Sequence, residues 1–220
     1  MKKAFIFDMD GVIVDSENAW LPFEDALLIR LLGKETRQKI GGTVGVSMEG
    51  VYDQAKEAGS LVEWREFRKE YDDVASKVYN SVLITPGTDD LLGFLATHSF
   101  AIGVVSASPI DRVNLVLPRL LNGDKINKII SLDENPNFKH KPSPDGYNEM
   151  MRQLGSKPEN TIILEDSNLG IESAKKSGAY TIALAYNLLP GYKQEGADVY
   201  AQTMLDVIKL IKEQRKDLLS

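Results

Sequence analysis

The sequence predicts an α/β protein built on a doubly wound parallel sheet, with an all-helical segment inserted after the first strand. Three observations predict it. Short apolar runs recur that are near-continuous rather than alternating, as strands buried on both faces must be. Amphipathic helical stretches alternate with them. One long segment, from about Asp15 to Val82, carries helical patterns and no convincing strand.

Taken in order, the first strand is Ala4–Phe7. The inserted block offers helices over Trp20–Leu32, Met48–Lys56 and Glu63–Tyr79, and returns near Pro86-Gly87. Thr88–Thr97 sets Leu91, Leu92 and Leu95 at helical spacing and leads into a strand at Ala101–Val105. The alternation continues with helix Ile110–Leu120, strand Lys128–Ser131, helix Asp145–Leu154 and strand Thr161–Leu164. Helix Leu169–Ser177 and strand Tyr180–Leu184 follow, with Gly155 and Gly178 standing where helices should stop. A last helix, Met204 to about Lys216, places Leu205, Ile208 and Ile211 on one face and is expected to dock on the sheet. No internal repeat or low-complexity stretch interrupts the pattern.

Length and composition bound the function. With 220 residues, 43% hydrophobic and 26% charged, the chain is an ordinary globular protein of one or two domains. Its net charge of −6 (26 basic against 32 acidic side chains) argues against a nucleic-acid partner, which needs a basic face. A small anionic substrate would need a local concentration of positive charge. The absence of cysteine excludes disulfides and thiolate metal sites, and two histidines cannot build a His-rich zinc site. Any metal is therefore a hard cation on oxygen ligands. The N-terminal apolar run stops at Asp8, too early for a secretory leader, and no run approaches the ~18 residues of a membrane span. A soluble, cytoplasmic monomer without a membrane partner is the expectation.

In an open parallel sheet, ligands bind beyond the carboxyl ends of the strands. The first strand runs into Asp8-Met9-Asp10-Gly11-Val12, the second into Ser106-Ala107-Ser108, and the fourth into Glu165-Asp166-Ser167-Asn168. Lys139-His140-Lys141-Pro142-Ser143-Pro144 lies between. Asp8 and Asp10 form the one D-x-D of the chain and would share a face of an extended strand, where two carboxylates repel unless a cation or proton intervenes. Alone, they read rather as two solvated turn carboxylates after an edge strand. Joined by Glu165 and Asp166 at a second strand end, they call for a divalent ion, and oxygen ligands suit Mg²⁺. Ser106 alone reads as a helix N-cap and Lys141 alone as a surface lysine. Facing a carboxylate cluster, Lys141 becomes a point charge for a phosphate oxygen. His98 and His140 receive no role.

The ordered set Asp8-Met9-Asp10-Gly11-Val12, Ser106, Lys141-Pro142-Ser143-Pro144-Asp145 and Glu165-Asp166-Ser167 resembles the haloacid dehalogenase superfamily of phosphohydrolases. Asp15-Ser16-Glu17 and the helical insertion resemble its branch of β-phosphoglucomutases and phosphoglycolate-type phosphatases. The resemblance implies a Rossmann-like core, residues 1–14 and 84–220, and a mobile helical cap, residues 15–83. It implies Asp8 as nucleophile, Asp10 as general acid/base, and Ser106 and Lys141 on the transferring phosphoryl group. Mg²⁺ would be held by Asp8, the Asp10 backbone carbonyl and Asp166, with Glu165 supporting the metal site. The substrate would be a small phosphorylated metabolite.

Departures from the pattern narrow the activity. The superfamily's dehalogenases lack the second aspartate, so Asp10 argues for phosphoester chemistry. Gly45-Val46-Ser47-Met48-Glu49 resembles the mutase cap loop, but Met48 replaces its phosphate-binding arginine. Trp20 stands where some relatives carry a histidine, and Lys77 reads as a solvated helix lysine. A Mg²⁺-dependent phosphatase is thus expected ahead of a sugar phosphate mutase or a non-catalytic phosphometabolite sensor.

Overall fold

The protein is described by a computed structural model covering residues 2–43, 46–134 and 138–219. Six parallel strands form one sheet: β1 (Ala4–Phe7), β2 (Ala101–Ser106), β3 (Lys128–Ser131), β4 (Thr161–Glu165), β5 (Tyr180–Leu184) and β6 (Val199–Ala201). Their spatial order is β3-β2-β1-β4-β5-β6, a doubly wound arrangement whose direction of growth reverses beside β1. The register sets Phe7 opposite Val104 on one side and Leu164 on the other, so β1, β2 and β4 run out at the same edge of the sheet.

The continuous apolar runs are explained by cover on both faces. Phe5, Phe7, Ile102, Val104, Ile162 and Leu164 pack with α5 (Thr88–Thr97), α6 (Ile110–Val116) and α9 (Met204–Gln214). Ala4, Ile6, Val105 and Ile163 point the other way, onto α7 (Asp145–Leu154) and α8 (Asn168–Lys176). A strand period of two, repeated across neighbours, divides the core into two layers.

Between β1 and α5 the chain forms α1 (Ser16–Leu32), α2 (Lys34–Lys39), α3 (Met48–Glu57) and α4 (Trp64–Ser81). Of these, α1, α3 and α4 enclose an apolar cluster, with Leu27, Leu28, Met48, Val51, Phe67 and Tyr71 buried. The last turns of α4 instead join the sheet's core through Ala75, Val78 and Tyr79. The two crossings lie side by side: Asp15 N–H donates to Leu83 O (3.0 Å) and Thr85 N–H to Ile13 O (2.9 Å).

Several expectations shift in detail. β2 and β4 each run one residue further than read, so Ser106 pairs with Ser131 and Glu165 with Ala183. β6 and α2 escape the reading altogether. The docking face of α9 is Met204, Val207 and Ile211, whereas Leu205 is 63% exposed. A capping box, Thr203 with Asp206, closes its N-terminus.

Candidate active site

Beyond the carboxyl ends of β1, β2 and β4 lies a cleft that opens to solvent. Asp8, Asp10, Lys141 and Asp166 line it, while Ser106 and Glu165, both fully buried, stand immediately behind. The structure therefore brings every residue of the expected set to one sheet edge.

Asp8 leaves β1 with its N–H on Leu164 O (2.9 Å) and its carboxylate buried, 4% exposed. Lys141 Nζ donates to Asp8 Oδ1 and, at 2.5 Å, to Glu165 Oε1. Glu165 is engaged on both oxygens. Oε1 also accepts from Tyr147 OH (2.7 Å), and Oε2 accepts from the N–H of Asp166 (3.0 Å) and of Ser167 (3.3 Å). Space for that carboxylate exists because residue 170 is glycine: a Cβ there would lie 1.9 Å from Glu165 Oε1.

Carboxylate oxygens of Asp8, Glu165 and Asp166 can all lie within 4.8 Å of one another. Burial, then the neighbouring carboxylates Glu165 and Asp8, holds Asp166 well above its ordinary pKa. Asp8 is raised as well, because burial together with Glu165 and Asp10 outweighs Lys141. Burial alone would discharge Lys141, but Asp8 and Glu165 overcome it and keep the amine protonated. Three buried carboxylates against one ammonium leave negative charge uncompensated, which is the donor set a hard divalent cation fits.

Asp10 faces elsewhere. Its Oδ1 accepts from Tyr79 OH, and its Oδ2 from Ser108 Oγ (2.8 Å) and Ser106 Oγ (3.2 Å). Ser106 Oγ in turn accepts from the Ser108 N–H (2.9 Å). The two aspartates thus separate: one carboxylate sits among anions and a lysine, the other among hydroxyls. Gly11 permits the turn that follows Asp10 and its close approach to Asp166. Its φ is +76°, and a Cβ would stand 1.9 Å from Asp166 Oδ2.

Sequence reasoning missed Tyr79, Tyr147 and Asn187. Both tyrosines fall inside stretches read as helices, Glu63–Tyr79 and Asp145–Leu154, where nothing marks them out. Burial, then Asp10, keeps the Tyr79 phenol well above its usual pKa and so protonated. Asn187 Nδ2 donates to Gly11 O (3.0 Å) and Thr85 Oγ1 (2.7 Å), tying the aspartate loop to the return crossing. Lys77 is exposed and stands outside the cleft lining. His140 Nε2 lies 3.2 Å from Glu49 Oε2, away from the aspartates. Gly45 of the mutase-like loop lies outside the described residues. Met48 is buried, with its Sδ 3.9 Å from Arg112 Nη2.

A family model described as haloacid dehalogenase-like hydrolase matches residues 5–184. The chain is 26% identical over 197 residues to validoxylamine A 7'-phosphate phosphatase of Streptomyces hygroscopicus subsp. limoneus, covering 84% of this chain and 86% of that protein. Phosphoglycolate phosphatase of Rhodospirillum rubrum is 24% identical over 208 residues, covering 89% and 83%. Among solved structures, β-phosphoglucomutase of Clostridium difficile superposes with a TM-score of 0.73 at 24% identity, covering 99% of this chain and 98% of that one. At that identity the likeness concerns the fold.

Proposed function

The chain belongs to the haloacid dehalogenase-like hydrolases and is a phosphatase, and from that premise we propose that it hydrolyses a small phosphorylated metabolite through an aspartyl phosphate on Asp8. One observation carries the reading. The cleft presents two aspartates of opposite surroundings, Asp8 beside Lys141 and Asp166, Asp10 on three hydroxyls.

In the first half-reaction an Asp8 carboxylate oxygen attacks phosphorus, and the bond to the leaving alcohol breaks. Protonated Asp10 gives its proton to that alcohol's oxygen. In the second, water attacks phosphorus, the bond from phosphorus to Asp8 breaks, and Asp10 takes the water's proton, releasing inorganic phosphate. One acid/base serves both halves because each leaves it in the state the next requires. Lys141 offsets the repulsion between carboxylate and phosphate, the main obstacle to the attack. Glu165 holds Lys141 in place. Ser106 serves Asp10 and the phosphoryl pocket.

The donor set fits Mg²⁺, which would be held by the Asp8 carboxylate, the Asp10 backbone carbonyl and Asp166. When bound it supplies positive charge to the phosphoryl oxygens. Residues 15–83 act as a lid over a core of residues 1–14 and 84–220. In support, Trp20, Tyr71 and Tyr79 from the helical segment line the cleft opposite the strand ends. Such a lid excludes water and limits substrates to small molecules.

Hydrolysis of p-nitrophenyl phosphate tests the reading. Activity is expected with Mg²⁺ and not with excess EDTA. Asp8→Asn should lower kcat by at least about a thousandfold while the fold persists. Full activity in that variant would sink the nucleophile assignment.

A further inference from the structure

The phosphatase reading leaves the alcohol of the ester open. Resting on that reading, we propose that the alcohol is an uncharged polyhydroxy compound, and that Glu24 on α1 selects against leaving groups bearing a second negative charge.

Away from the strand ends, Glu17, Trp20, Glu24, Thr43 and Tyr71 build the wall of the cleft. Glu24 is held at both oxygens: Oε1 accepts from Tyr71 OH (3.1 Å) and Oε2 from Thr43 Oγ1 (2.8 Å). Burial, then Glu24 itself, keeps the Tyr71 phenol protonated and able to donate. A carboxylate has about four lone-pair sites, so two donors leave room for more. Substrate hydroxyls can supply them. A carboxylate or second phosphate cannot, and would instead meet like charge.

The cations of the cleft do not change this balance. Among its described lining residues they are Lys141 and Arg112. Lys141 is committed to Asp8 and Glu165. Arg112, its side chain 9% exposed, donates to Asp72 Oδ1 at 2.8 Å. Its guanidinium also lies over the rings of Tyr71 (5.8 Å) and Tyr79 (5.7 Å). That charge is already matched by a carboxylate, and Met48 lies against it. The phosphoryl group therefore belongs at Lys141, and the alcohol against the wall that carries Glu17 and Glu24. The indole of Trp20 is fixed against Tyr71, ring centroids 5.0 Å apart, and offers a flat apolar face to the C–H side of a polyol.

The test compares kcat/KM for phosphate monoesters of glycerol and of a hexitol with that for 2-phosphoglycolate, 3-phosphoglycerate and a hexose bisphosphate. p-Nitrophenyl phosphate serves as the reference. The wild-type protein is expected to favour the uncharged alcohols by at least about tenfold, and Glu24→Gln to shrink that preference by about tenfold. Equal or better turnover of the anionic esters by the wild type overturns the proposal, and so does an unchanged preference in a folded Glu24→Gln protein. Should that variant not fold, the wild-type comparison decides. Failure to hydrolyse p-nitrophenyl phosphate would instead overturn the phosphatase reading beneath it.

Discussion

Asp8 and Asp10 are chemically identical side chains two residues apart, and their different surroundings support the opposite tasks proposed for them. Asp8 is desolvated among anions with a lysine on one oxygen, the setting of a nucleophile that must meet phosphate. Asp10 hangs from three hydroxyls, one at the end of β2, one in the loop after it and one on Tyr79 of α4. Tyr79 therefore holds the carboxylate of the proposed acid/base from the helical segment. Tyr79→Phe is expected to lower kcat about 10–100-fold on an alkyl phosphate, whose alkoxide needs a proton to leave. The loss on p-nitrophenyl phosphate should be much smaller, because nitrophenolate departs unaided, and KM should change little on either. Equal losses on both esters would reduce Tyr79 to a packing residue.

At the scale of elements, α4 is the piece that belongs to two cores. Its first turns bury Phe67 and Tyr71 in the inserted cluster, and its last turns bury Val78 and Tyr79 against the sheet. The C-terminal carbonyls are met from outside: Arg119 donates to Tyr79 O (3.2 Å) and to Val82 O. A cation there also opposes the partial negative charge of the helix end. Arg119→Ala should cost about 1 kcal/mol, lowering Tm by about 2–4 °C for a chain of this size. Limited proteolysis should then cut sooner between residues 82 and 86, and an unchanged cleavage rate would show that Arg119 does not hold this end. Elements that escaped the sequence reading did so for physical reasons. β6 has three residues with Tyr200 48% exposed, and α2 buries no side chain, so neither carries a periodic apolar signal.

For the whole molecule, the strand order β3-β2-β1-β4-β5-β6 makes β1 and β4 neighbours and so sets Asp8 beside Asp166. Bringing these carboxylates together opposes folding. Both have folded-state pKa values raised above the ordinary range. The sign follows: without metal, the stability these groups contribute is full below the unfolded carboxyl value and is lost as pH rises through the raised one. Metal-free Asp166→Asn should therefore be more stable than the wild type by about 1–2 kcal/mol, and more so near pH 8 than near pH 4. Mg²⁺ at about a hundred times its Kd should stabilise the wild type by about 2.7 kcal/mol and Asp166→Asn hardly at all. Thermal melts with Mg²⁺ or EDTA measure both, and an equal Mg²⁺ response in the two proteins would remove Asp166 from the metal site.

Strand and helix identity, the inserted helical block and the groups at the strand ends were legible without coordinates. Near-continuous apolar runs can be satisfied only between two helical layers, and Asp8-x-Asp10-Gly11, Lys141 and Glu165-Asp166 are local signals. Partnership was not legible. Tyr79, Arg112 and Glu24 sit on helices, where an aromatic, an arginine or a glutamate reads as packing or as solvated surface. Only the folded chain put Tyr79 on Asp10, matched Arg112 with Asp72 and held Glu24 between Tyr71 and Thr43. The reason is geometric: a short motif specifies what a group can do, whereas the partner that orients it arrives from another helix, at a distance along the chain that periodicity does not encode.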